Sequence, residues 1–318
     1  MPDSTIVCVS ANPAMDRRLR VGSLAMGEVN RAESAHGFAG GKAAHVAMAA
    51  RALAAKARWI GFLGGPIGHD CARQMEDLGI QVVAIHTAAS TRVNLEIIED
   101  SGRVTEVLEP GIAPTAAEKD DFLQKCTQEI RDHWKEILLV ISGSLPAGLN
   151  PDFYVALIEA AREAGAKVFI DTSGDALRES SNANPDFVKT NRAEAESMVE
   201  RPLKTTQELV RAAGEIIQRG SASAAITLGQ DGLIWFERKN GPVWMARPPR
   251  MNVISTVGCG DATLGGFVCA AAQGIIGEGA LRLAAACGAA NCVAPAPGRI
   301  DLATVESLVP EIEVQQLS

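Results

Sequence analysis

The sequence of 318 residues contains no run of lysine and arginine, no long uninterrupted apolar segment and no Cys-x-x-Cys pair. Its net charge of −8 argues against nucleic acid as the main partner, because binding to a phosphate backbone depends on clustered basic side chains. The apolar stretches are too short to span a bilayer, and Met1 to Thr5 do not begin a secretory signal. We therefore expect a cytoplasmic protein that binds neither nucleic acid nor a membrane.

Cysteine and histidine are also too dispersed to form a regular metal site. The seven cysteines and five histidines lie far apart along the chain, without the spacing of zinc ligands. An odd and scattered set of cysteines is typical of reduced thiols, most of them in the core.

Short runs rich in valine and isoleucine alternate with helical patterns, and 47% of the residues are hydrophobic. This alternation predicts one large α/β domain with a doubly wound, mostly parallel sheet that is covered by helices on both faces. The predicted strands are Thr5–Ser10, Ala57–Leu63, Ile80–His86, Ile137–Ser142, Lys167–Asp171, Asp186–Lys189 and Ala222–Thr227. The predicted helices are Ala43–Leu53, Asp70–Leu78, Thr115–His133, Pro151–Ala164, Thr206–Arg219, Asp261–Gln273 and Ala280–Val293.

Two segments, Arg17–His36 and Thr91–Glu109, interrupt this rhythm because they carry few helix signals. We interpret both as antiparallel strands of a small sheet that forms a lid outside the core. The predicted division is a lid of residues 12–38 and 89–109 and a core of residues 1–11, 39–88 and 110–318. The exposed sheet edges of such a lid favour a homodimer formed through it.

Polar and small residues follow most of the predicted core strands, as in the segments that begin at Asn12, Gly64, Ser142, Asp171 and Thr227. Turns favour such residues in any protein. In a doubly wound sheet, however, ligands bind at the carboxyl ends of the strands. Their common position at one edge therefore predicts a single cleft.

The segment Ser255–Phe267 carries the most specific signal. Gly258, Cys259 and Gly260 precede Asp261 at the start of an apolar helix. Glycine lets the backbone approach a ligand, and the free N–H groups of a first helical turn favour an anion. An aspartate beside a bound phosphate is unfavourable unless it has another task, such as accepting the proton of an attacking hydroxyl. Taken alone, the motif is equally consistent with an aspartate at a helix start and packing glycines.

Gly40, Gly41 and Lys42 form a second glycine-rich helix start. The segment fails the Walker pattern, since position 36 is histidine and Ala43 stands where the magnesium-binding Ser or Thr would be. A Rossmann dinucleotide site is equally unsupported, because no Gly-x-Gly-x-x-Gly follows the first strand. Two glycines and a lysine still suit the hydroxyls and phosphate of a substrate, although an isolated lysine is usually a solvated surface residue.

Together these motifs resemble the ribokinase-like carbohydrate kinases of the PfkB family, from about residue 5 to residue 300. Gly40-Gly41 resembles the first family motif, and Ser255–Phe267 resembles the second, with Cys259 in place of alanine. Asn191 and Glu194 match the Asn-x-x-Glu motif, and Thr227–Gly232 resembles the nucleotide loop. Other segments are similar to the phosphosugar branch, which includes 1-phosphofructokinase, tagatose-6-phosphate kinase and the minor 6-phosphofructokinase; they are Asn12–Asp16, Gly27–Arg31, Thr91–Asn94, Glu109–Gly111 and Ser142–Gly148.

The resemblance implies a kinase that transfers the γ-phosphate of ATP to a hydroxyl of a ketohexose phosphate. Asp261 would be the base, and the N–H groups of Gly258, Cys259 and Gly260 would stabilise the moving phosphoryl group. Mg²⁺ would be held by Glu194 and, through water, by Asn191. The implied substrate-binding residues are Asp16, Arg31, Gly40, Gly41, Lys42, His45, Arg92, Asn94 and Ser142, with Lys42 and Arg92 on the sugar phosphate. The implied nucleotide-binding residues are Lys189, Asn191, Thr227, Gly229, Gly232 and Asn291.

His45 departs from this pattern, because the phosphosugar branch usually has asparagine there, and Ala43 replaces the usual glycine. A neutral imidazole donates and accepts hydrogen bonds as an amide does, but it is bulkier and titrates near neutrality. The substrate is therefore expected to be an unusual phosphosugar or another acid-substituted sugar. The alternative for His45 is a helix-surface or core histidine without a ligand.

Three other functions stay open at this point. A kinase of a neutral sugar or a nucleoside would have no need of Lys42 together with Arg92. A non-catalytic sugar-phosphate sensor would have no need of Asp261 and its glycines. A Rossmann oxidoreductase lacks its motif.

Overall fold

The structure is a computed structural model that describes residues 4–111, 113–132 and 137–317. Its strands, in chain order, are β1 (Thr5–Ser10), β2 (Ala14–Val21), β3 (Ser34–Gly40), β4 (Lys56–Gly64), β5 (Gln81–Thr87), β6 (Arg92–Glu99), β7 (Val104–Leu108), β8 (Ile137–Ser142), β9 (Lys167–Asp171), β10 (Phe187–Asn191), β11 (Ala224–Thr227), β12 (Leu233–Phe236), β13 (Val243–Arg247) and β14 (Glu313–Gln316). Its α-helices are α1 (Lys42–Ala52), α2 (Gly65–Asp77), α3 (Ala116–Asp132), α4 (Asp152–Glu163), α5 (Gly174–Asn182), α6 (Arg192–Val199), α7 (Thr206–Arg219), α8 (Cys259–Gln273), α9 (Gly277–Cys292) and α10 (Leu302–Leu308).

A ten-stranded sheet has the strand order β14-β13-β12-β11-β10-β9-β8-β1-β4-β5. Its part from β11 to β5 is parallel, as the alternation of strands and helices predicts, and β12, β13 and β14 add an antiparallel edge. This edge was not predicted, because its strands are short and two of them follow a tight turn instead of a helix. Helices α5, α6 and α10 were also missed, and the predicted helix end at His133 lies outside the described residues.

The second sheet has four strands in the order β3-β2-β6-β7. Both segments that lacked helix signals contribute to it, so the prediction of a separate small sheet is confirmed. The prediction of purely antiparallel strands was wrong, because β2 and β6 pair in parallel over their full length, from Ala14 opposite Arg92 to Val21 opposite Glu99. Parallel pairing arises because β2 and β6 belong to two distant segments of the chain, whereas each segment forms its own antiparallel pair.

Alternating side chains of β1 show how the large sheet is covered. Ile6 and Cys8 belong to an apolar cluster with α1, α2, α8 and α9, whereas Val7 and Val9 belong to a cluster with α3, α4 and α7. Successive side chains of a strand point to opposite faces, so a strand that is apolar throughout is buried on both sides. None of the described helices combines the length and the apolar character that a membrane span requires.

Helix α8 is buried along nearly its whole length between α1 and α9. Gly265 faces α1, where an added Cβ would lie 2.8 Å from the Cβ of Ala49. Gly266 faces α9, where an added Cβ would lie 2.6 Å from the Cα of Ala284. The two glycines therefore allow α8 to approach a helix on each side, which fixes the position of its first turn.

We expect Gly266→Ala to destabilise the protein by about 1–3 kcal/mol, because the methyl group has no space against the backbone of α9. Urea unfolding of the purified protein measures the change. The matched control is Gly214→Ala in α7, where an added Cβ has its nearest neighbour at 3.7 Å, an ordinary contact. That control should gain up to about 1 kcal/mol from helix propensity. Equal stability of the two variants would contradict the close packing of α8.

Candidate active site

The first turn of α8 lies among residues from both sheets. Gly258 is the N-cap residue with φ of 80°, and a Cβ there would lie 3.0 Å from the Cβ of Pro297, so that both the backbone conformation and the space favour glycine. A Cβ at Gly260 would lie 3.1 Å from Nζ of Lys189. The N–H of Cys259 donates to the carbonyl of Thr256 at 3.2 Å, so this amide already has a partner within the loop.

His45 connects two buried carboxylates. Its Nδ1 lies 2.8 Å from Oδ2 of Asp261, and its Nε2 lies 2.9 Å from Oδ2 of Asp16. Asp16 on β2 also accepts a hydrogen bond from Nδ2 of Asn94 on β6 at 2.8 Å and one from the N–H of Gly41 at 3.4 Å. The contacts bring residues of β2, β6, α1 and α8 together at one point, which we call the Asp16–His45–Asp261 bridge.

The bridge sets the charge of His45. Burial by itself lowers the pKa of the imidazole, but the ion pairs with Asp16 and Asp261 outweigh burial and raise the pKa to about 10. The pKa of Asp16 is lowered, because its contacts with His45, Asn94 and Gly41 outweigh the opposing effect of burial. His45 is therefore an imidazolium at neutral pH. The expectation that it changes charge near neutrality does not hold for this substrate-free arrangement.

Gly40 makes the position of Asp16 possible. A Cβ at Gly40 would lie only 2.1 Å from Oδ2 of Asp16, closer than any van der Waals contact allows. Gly41 has φ of 90°, and a Cβ there would lie 3.3 Å from the Cα of Pro13. Steric crowding thus explains why both positions of the first motif are glycine, and the sequence alone did not reveal this.

Lys42 begins a second charged group. Its ammonium lies 2.9 Å from Oδ1 of Asp171 and 3.5 Å from Oε1 of Glu194, and Nζ of Lys189 lies 2.8 Å from Oδ2 of Asp171. Burial opposes the ionised forms of Lys42 and Asp171, but these contacts raise the pKa of Lys42 and lower that of Asp171. Lys42 was expected to lie on the sugar phosphate, whereas here it faces two carboxylates.

Asp171 was not among the predicted site residues, although its position at the end of β9 was part of the polar edge. The side chain is fully buried and joins Lys42 to Lys189. A strand-end aspartate has many ordinary explanations, and only the fold shows that two lysines from distant segments converge on it.

Arg92, the other residue expected on the sugar phosphate, is already partly engaged. Its Nη1 donates to the carbonyl of Glu109 at 2.9 Å, and its Nη2 donates to the carbonyl of Asn12 at 3.1 Å. Its Nε is buried without a hydrogen-bond partner, and burial lowers the pKa of the guanidinium. The remaining N–H groups leave the guanidinium able to bind an anion.

The predicted nucleotide-binding residues have more varied environments. Asn191 and Glu194 form a capping box at the start of α6, in which Glu194 N donates to Oδ1 of Asn191 at 2.9 Å and Asn191 N donates to Oε2 of Glu194 at 2.8 Å. Thr227 ends β11, and Gly229 and Gly232 take positive φ angles in the tight turn to β12. These residues line the same edge of the large sheet, where β10 and β11 end.

Asn291, also predicted to bind nucleotide, is buried and uses its amide within the chain. Its Nδ2 donates to the carbonyl of Val257 at 2.7 Å and to Sγ of Cys259 at 3.3 Å, and its Oδ1 accepts from the N–H of Gly298 at 2.7 Å. Ser142 is completely buried at the end of β8, and Arg31 is exposed in the connection between β2 and β3. Among the described residues, none of these three side chains forms a hydrogen bond with Asp16, His45 or Asp261.

A further connection, absent from the sequence analysis, links the small sheet to the α8 motif. Glu96 on β6 forms an ion pair with Arg18 on β2 at 2.7 Å and accepts a hydrogen bond from the hydroxyl of Ser255. Ser255 Oγ in turn accepts from the N–H of Val257 at 3.1 Å, and Nη1 of Arg18 donates to the carbonyl of Pro295 at 2.7 Å. No sequence motif marks these residues, because each lies in an otherwise ordinary strand or loop.

The described residues contain no cluster of three or more His, Cys, Asp or Glu side chains arranged to hold a metal ion. Mg²⁺ in proteins keeps several water ligands and uses one or two carboxylates together with substrate phosphates. Glu194 offers one carboxylate at this edge, whose Oε2 accepts from the N–H of Asn191 and whose Oε1 lies 3.5 Å from Nζ of Lys42.

Comparison with known proteins identifies the family of the chain. Residues 3–300 match the family model described as pfkB family carbohydrate kinase. A 1-phosphofructokinase of Vibrio cholerae is 32% identical over 313 residues, which cover 98% of this chain and 97% of the relative. A 1-phosphofructokinase of Borreliella burgdorferi is 30% identical over 288 residues, with coverage of 91% and 92%.

The fold is shared as well. The crystal structure of Escherichia coli phosphofructokinase-2 in complex with fructose-6-phosphate superposes with a TM-score of 0.87 at 25% identity, covering 98% of this chain and 99% of that one. The family match extends over nearly the whole chain and includes both glycine motifs and the bridge between them. The chain therefore belongs to the pfkB family of carbohydrate kinases, and it is a sugar kinase with a ribokinase-like fold.

Proposed function

We propose that the protein transfers the γ-phosphate of ATP to a hydroxyl of a ketohexose phosphate, with fructose 1-phosphate, fructose 6-phosphate and tagatose 6-phosphate as the first candidates. The observation that carries the proposal is the Asp16–His45–Asp261 bridge at the N-terminus of α8, where a carboxylate lies beside the N–H groups of the first helical turn. The similarity to 1-phosphofructokinases and to a fructose-6-phosphate complex supports a substrate that already carries a phosphate.

In this mechanism Asp261 accepts the proton of the attacking hydroxyl. Its Oδ2 is held by His45, so that the other oxygen, Oδ1, faces the hydroxyl. The imidazolium contacts both buried carboxylates and compensates their charge. Asp16 and Asn94, which are hydrogen-bonded to each other, accept and donate to sugar hydroxyls.

The N–H groups of Gly258, Cys259 and Gly260 stabilise the phosphoryl group during its transfer. Lys189 lies against Gly260 and binds the phosphates of ATP, together with Thr227 and the glycines of the β11–β12 turn. Glu194, and Asn191 through water, hold Mg²⁺, which supplies neutralisation of the phosphate charge when it is bound.

Lys42 lies between the sugar-binding and the nucleotide-binding residues of the proposed site. Since its ammonium pairs with Asp171 and Glu194, we propose that it contacts the phosphates of ATP as well as the phosphate of the sugar. Arg92 then provides the main selectivity for a phosphorylated sugar, because a guanidinium matches phosphate oxygens.

The small sheet acts as the lid, with residues 12–38 and 89–109 as its segments and residues 1–11, 39–88 and 110–318 as the core. The connection from Glu96 to Ser255 supports this role, because it ties the lid to the loop that leads into α8. Closure excludes water and limits hydrolysis of ATP. We propose a cytoplasmic homodimer that forms through the lid, since the edge strand β7 exposes Val107 and Leu108.

The proposed reaction is tested by a kinase assay with fructose 1-phosphate, fructose 6-phosphate, tagatose 6-phosphate and acid-substituted sugars beside the free sugars. ATP-dependent phosphorylation of a phosphorylated ketohexose, and much weaker activity on the free sugar, is the expected result. A preference for free sugars or nucleosides would overturn the substrate class, and the absence of turnover with any sugar would favour the sensor.

Asp261→Asn should reduce kcat by about a hundredfold to ten-thousandfold while nucleotide still binds, because an amide cannot take the proton. Steady-state kinetics and nucleotide titration of the same preparation measure the two effects. Turnover within a few-fold of the unchanged enzyme would exclude Asp261 as the base.

Arg92→Ala should weaken the apparent affinity for the sugar phosphate at least tenfold, because a charge-assisted hydrogen bond contributes about 1.5–3 kcal/mol. The KM for ATP should stay nearly constant. Lys42→Ala should raise the KM of both substrates. Arg17→Ala removes an exposed positive charge from the same strand as Asp16 and is the matched control. If Arg92→Ala affects free and phosphorylated sugars equally, Arg92 does not select the phosphate.

His45→Asn should shift preference towards ordinary hexose phosphates, because it restores the residue of the phosphosugar branch. It should also change how stability depends on pH. The pKa of His45 is raised from 6.5 to about 10, so its ion pairs contribute fully below pH 6.5 and are lost as pH rises towards 10. The melting temperature, measured by thermal unfolding at pH values between 6 and 10, should therefore fall more steeply with rising pH for the unchanged protein than for His45→Asn. An unchanged substrate ranking with parallel stability curves would make His45 a scaffold residue.

A further inference from the structure

Two cysteines meet where α8 begins and α9 ends. Cys259 is the first residue of α8 and Cys292 is the last residue of α9, and their sulfur atoms lie 3.1 Å apart. Both are free thiols that are only half-buried, whereas the remaining cysteines, all on described residues, are buried. The sequence separates the pair by 33 residues, so that its proximity is a result of the packing of α8 against α9.

The backbone around the pair belongs to the phosphate-binding loop of the proposed reaction. The carbonyl of Cys292 accepts hydrogen bonds from the N–H groups of Ile254 and Ser255, at 2.8 and 3.3 Å. The N–H of Cys259 is one of the amides proposed to bind the moving phosphoryl group. A covalent bond between the two sulfurs would therefore act directly on this loop, whereas the carbonyl of residue 292 holds the loop with any side chain at that position.

The two thiols also differ in reactivity. The hydrogen bond from the Cys259 thiol lowers the pKa of Cys292, because it stabilises the Cys292 thiolate. The same hydrogen bond and burial raise the pKa of Cys259. A thiol with a lowered pKa next to a second thiol, with access to solvent, is the arrangement in which a sulfenic acid is resolved to a disulfide.

A structural zinc site is the main alternative for two adjacent cysteines. Such a site needs four ligands, and the described residues offer no third His, Cys, Asp or Glu in a suitable position. A simple packing role explains the burial of the other cysteines but not the exposure of these two.

We propose that Cys259 and Cys292 form a reversible disulfide with a peroxide as oxidant, and that the disulfide inhibits phosphoryl transfer; the inhibition rests on the proposed kinase function. The Cys292 thiolate attacks one oxygen of the peroxide, the O–O bond breaks, and with hydrogen peroxide the products are Cys292 sulfenic acid and hydroxide. The sulfur of Cys259 then attacks the Cys292 sulfur, the S–O bond breaks, and the thiol proton leaves with the oxygen as water. In total, two thiols are oxidised to a disulfide and one hydrogen peroxide is reduced to two waters.

The inhibition follows from distance. A disulfide requires the sulfurs to lie about 2.05 Å apart, about 1 Å closer than in the reduced pair. The approach pulls the first residue of α8 towards the end of α9, and it moves the N–H groups of Gly258 to Gly260 with it. A displacement of about 1 Å in a catalytic group costs up to about a hundredfold in rate.

The experiment treats the full-length protein with hydrogen peroxide under native conditions and then blocks free thiols with an alkylating reagent. Mass spectrometry of the digested protein should identify a linked peptide that contains Cys259 and Cys292. Kinase activity should fall at least tenfold and should return when dithiothreitol is added. A cytosolic disulfide with this behaviour is typical of a redox sensor.

Cys292→Ala removes the partner without altering the α8 motif, so it should keep its basal activity and retain it after the same peroxide treatment. Cys126→Ala is the matched control, since it removes a buried thiol from α3 on the other face of the sheet and should leave peroxide inhibition intact. If Cys292→Ala does not fold, the disulfide is still tested in the unchanged protein, by formation of the linked peptide and by its loss when dithiothreitol is added.

Absence of the linked peptide would overturn the disulfide, and equal inhibition of Cys292→Ala and the unchanged protein would overturn its effect on activity. Formation of the linked peptide without any loss of kinase activity would also overturn the effect on activity. Failure of the proposed kinase function is a separate result: the reduced protein would then phosphorylate no sugar, while the linked peptide would still test the disulfide.

Discussion

The imidazolium of His45 between Asp16 and Asp261 is the interaction on which the site depends. Two buried carboxylates in one cleft repel each other, and burial adds to the cost of each charge. A cation that contacts both offsets the repulsion and holds the two carboxylates on either side of one imidazole ring. Because Asp16 belongs to the small sheet and Asp261 to the core, the same cation also ties the two sheets together.

The close packing of α8 against α1 and α9 fixes the geometry of the bridge. Helix α8 has no side chain at Gly265 or Gly266, and it therefore approaches α1 and α9 more closely than ordinary helices do. His45 lies on α1 and Asp261 on α8, so the contact between these helices sets the distance between the Asp261 carboxylate and the imidazolium. The contact between α8 and α9 brings Cys259 to Cys292 in the same way. Catalytic geometry and the sulfur pair thus have a common structural cause.

The charged group around Asp171 complements the bridge. Lys42 and Lys189 share one buried carboxylate, and Lys42 also reaches Glu194 at the start of α6. These pairs hold two ammonium groups in place before any phosphate binds, which reduces the cost of ordering them on binding.

The local sequence determined those elements that depend on interactions between residues close together in the chain. The seven parallel strands of the large sheet, the helices α1, α2, α3, α4, α7, α8 and α9 and the glycine motifs before α1 and α8 were predictable, because periodicity and helix-start chemistry act over a few residues. Helices α5, α6 and α10 were not predicted. The motifs of Gly40-Gly41, Asn191 to Glu194 and Ser255 to Phe267 were sufficient to indicate a carbohydrate kinase. Tertiary structure alone decided the parallel pairing of β2 with β6, the pairing of Lys42 with Asp171, the ion pairs of His45 and the contact of Cys259 with Cys292. Each of these joins residues that are far apart in the chain, and their distances depend on how sheets and helices pack, which no local pattern encodes.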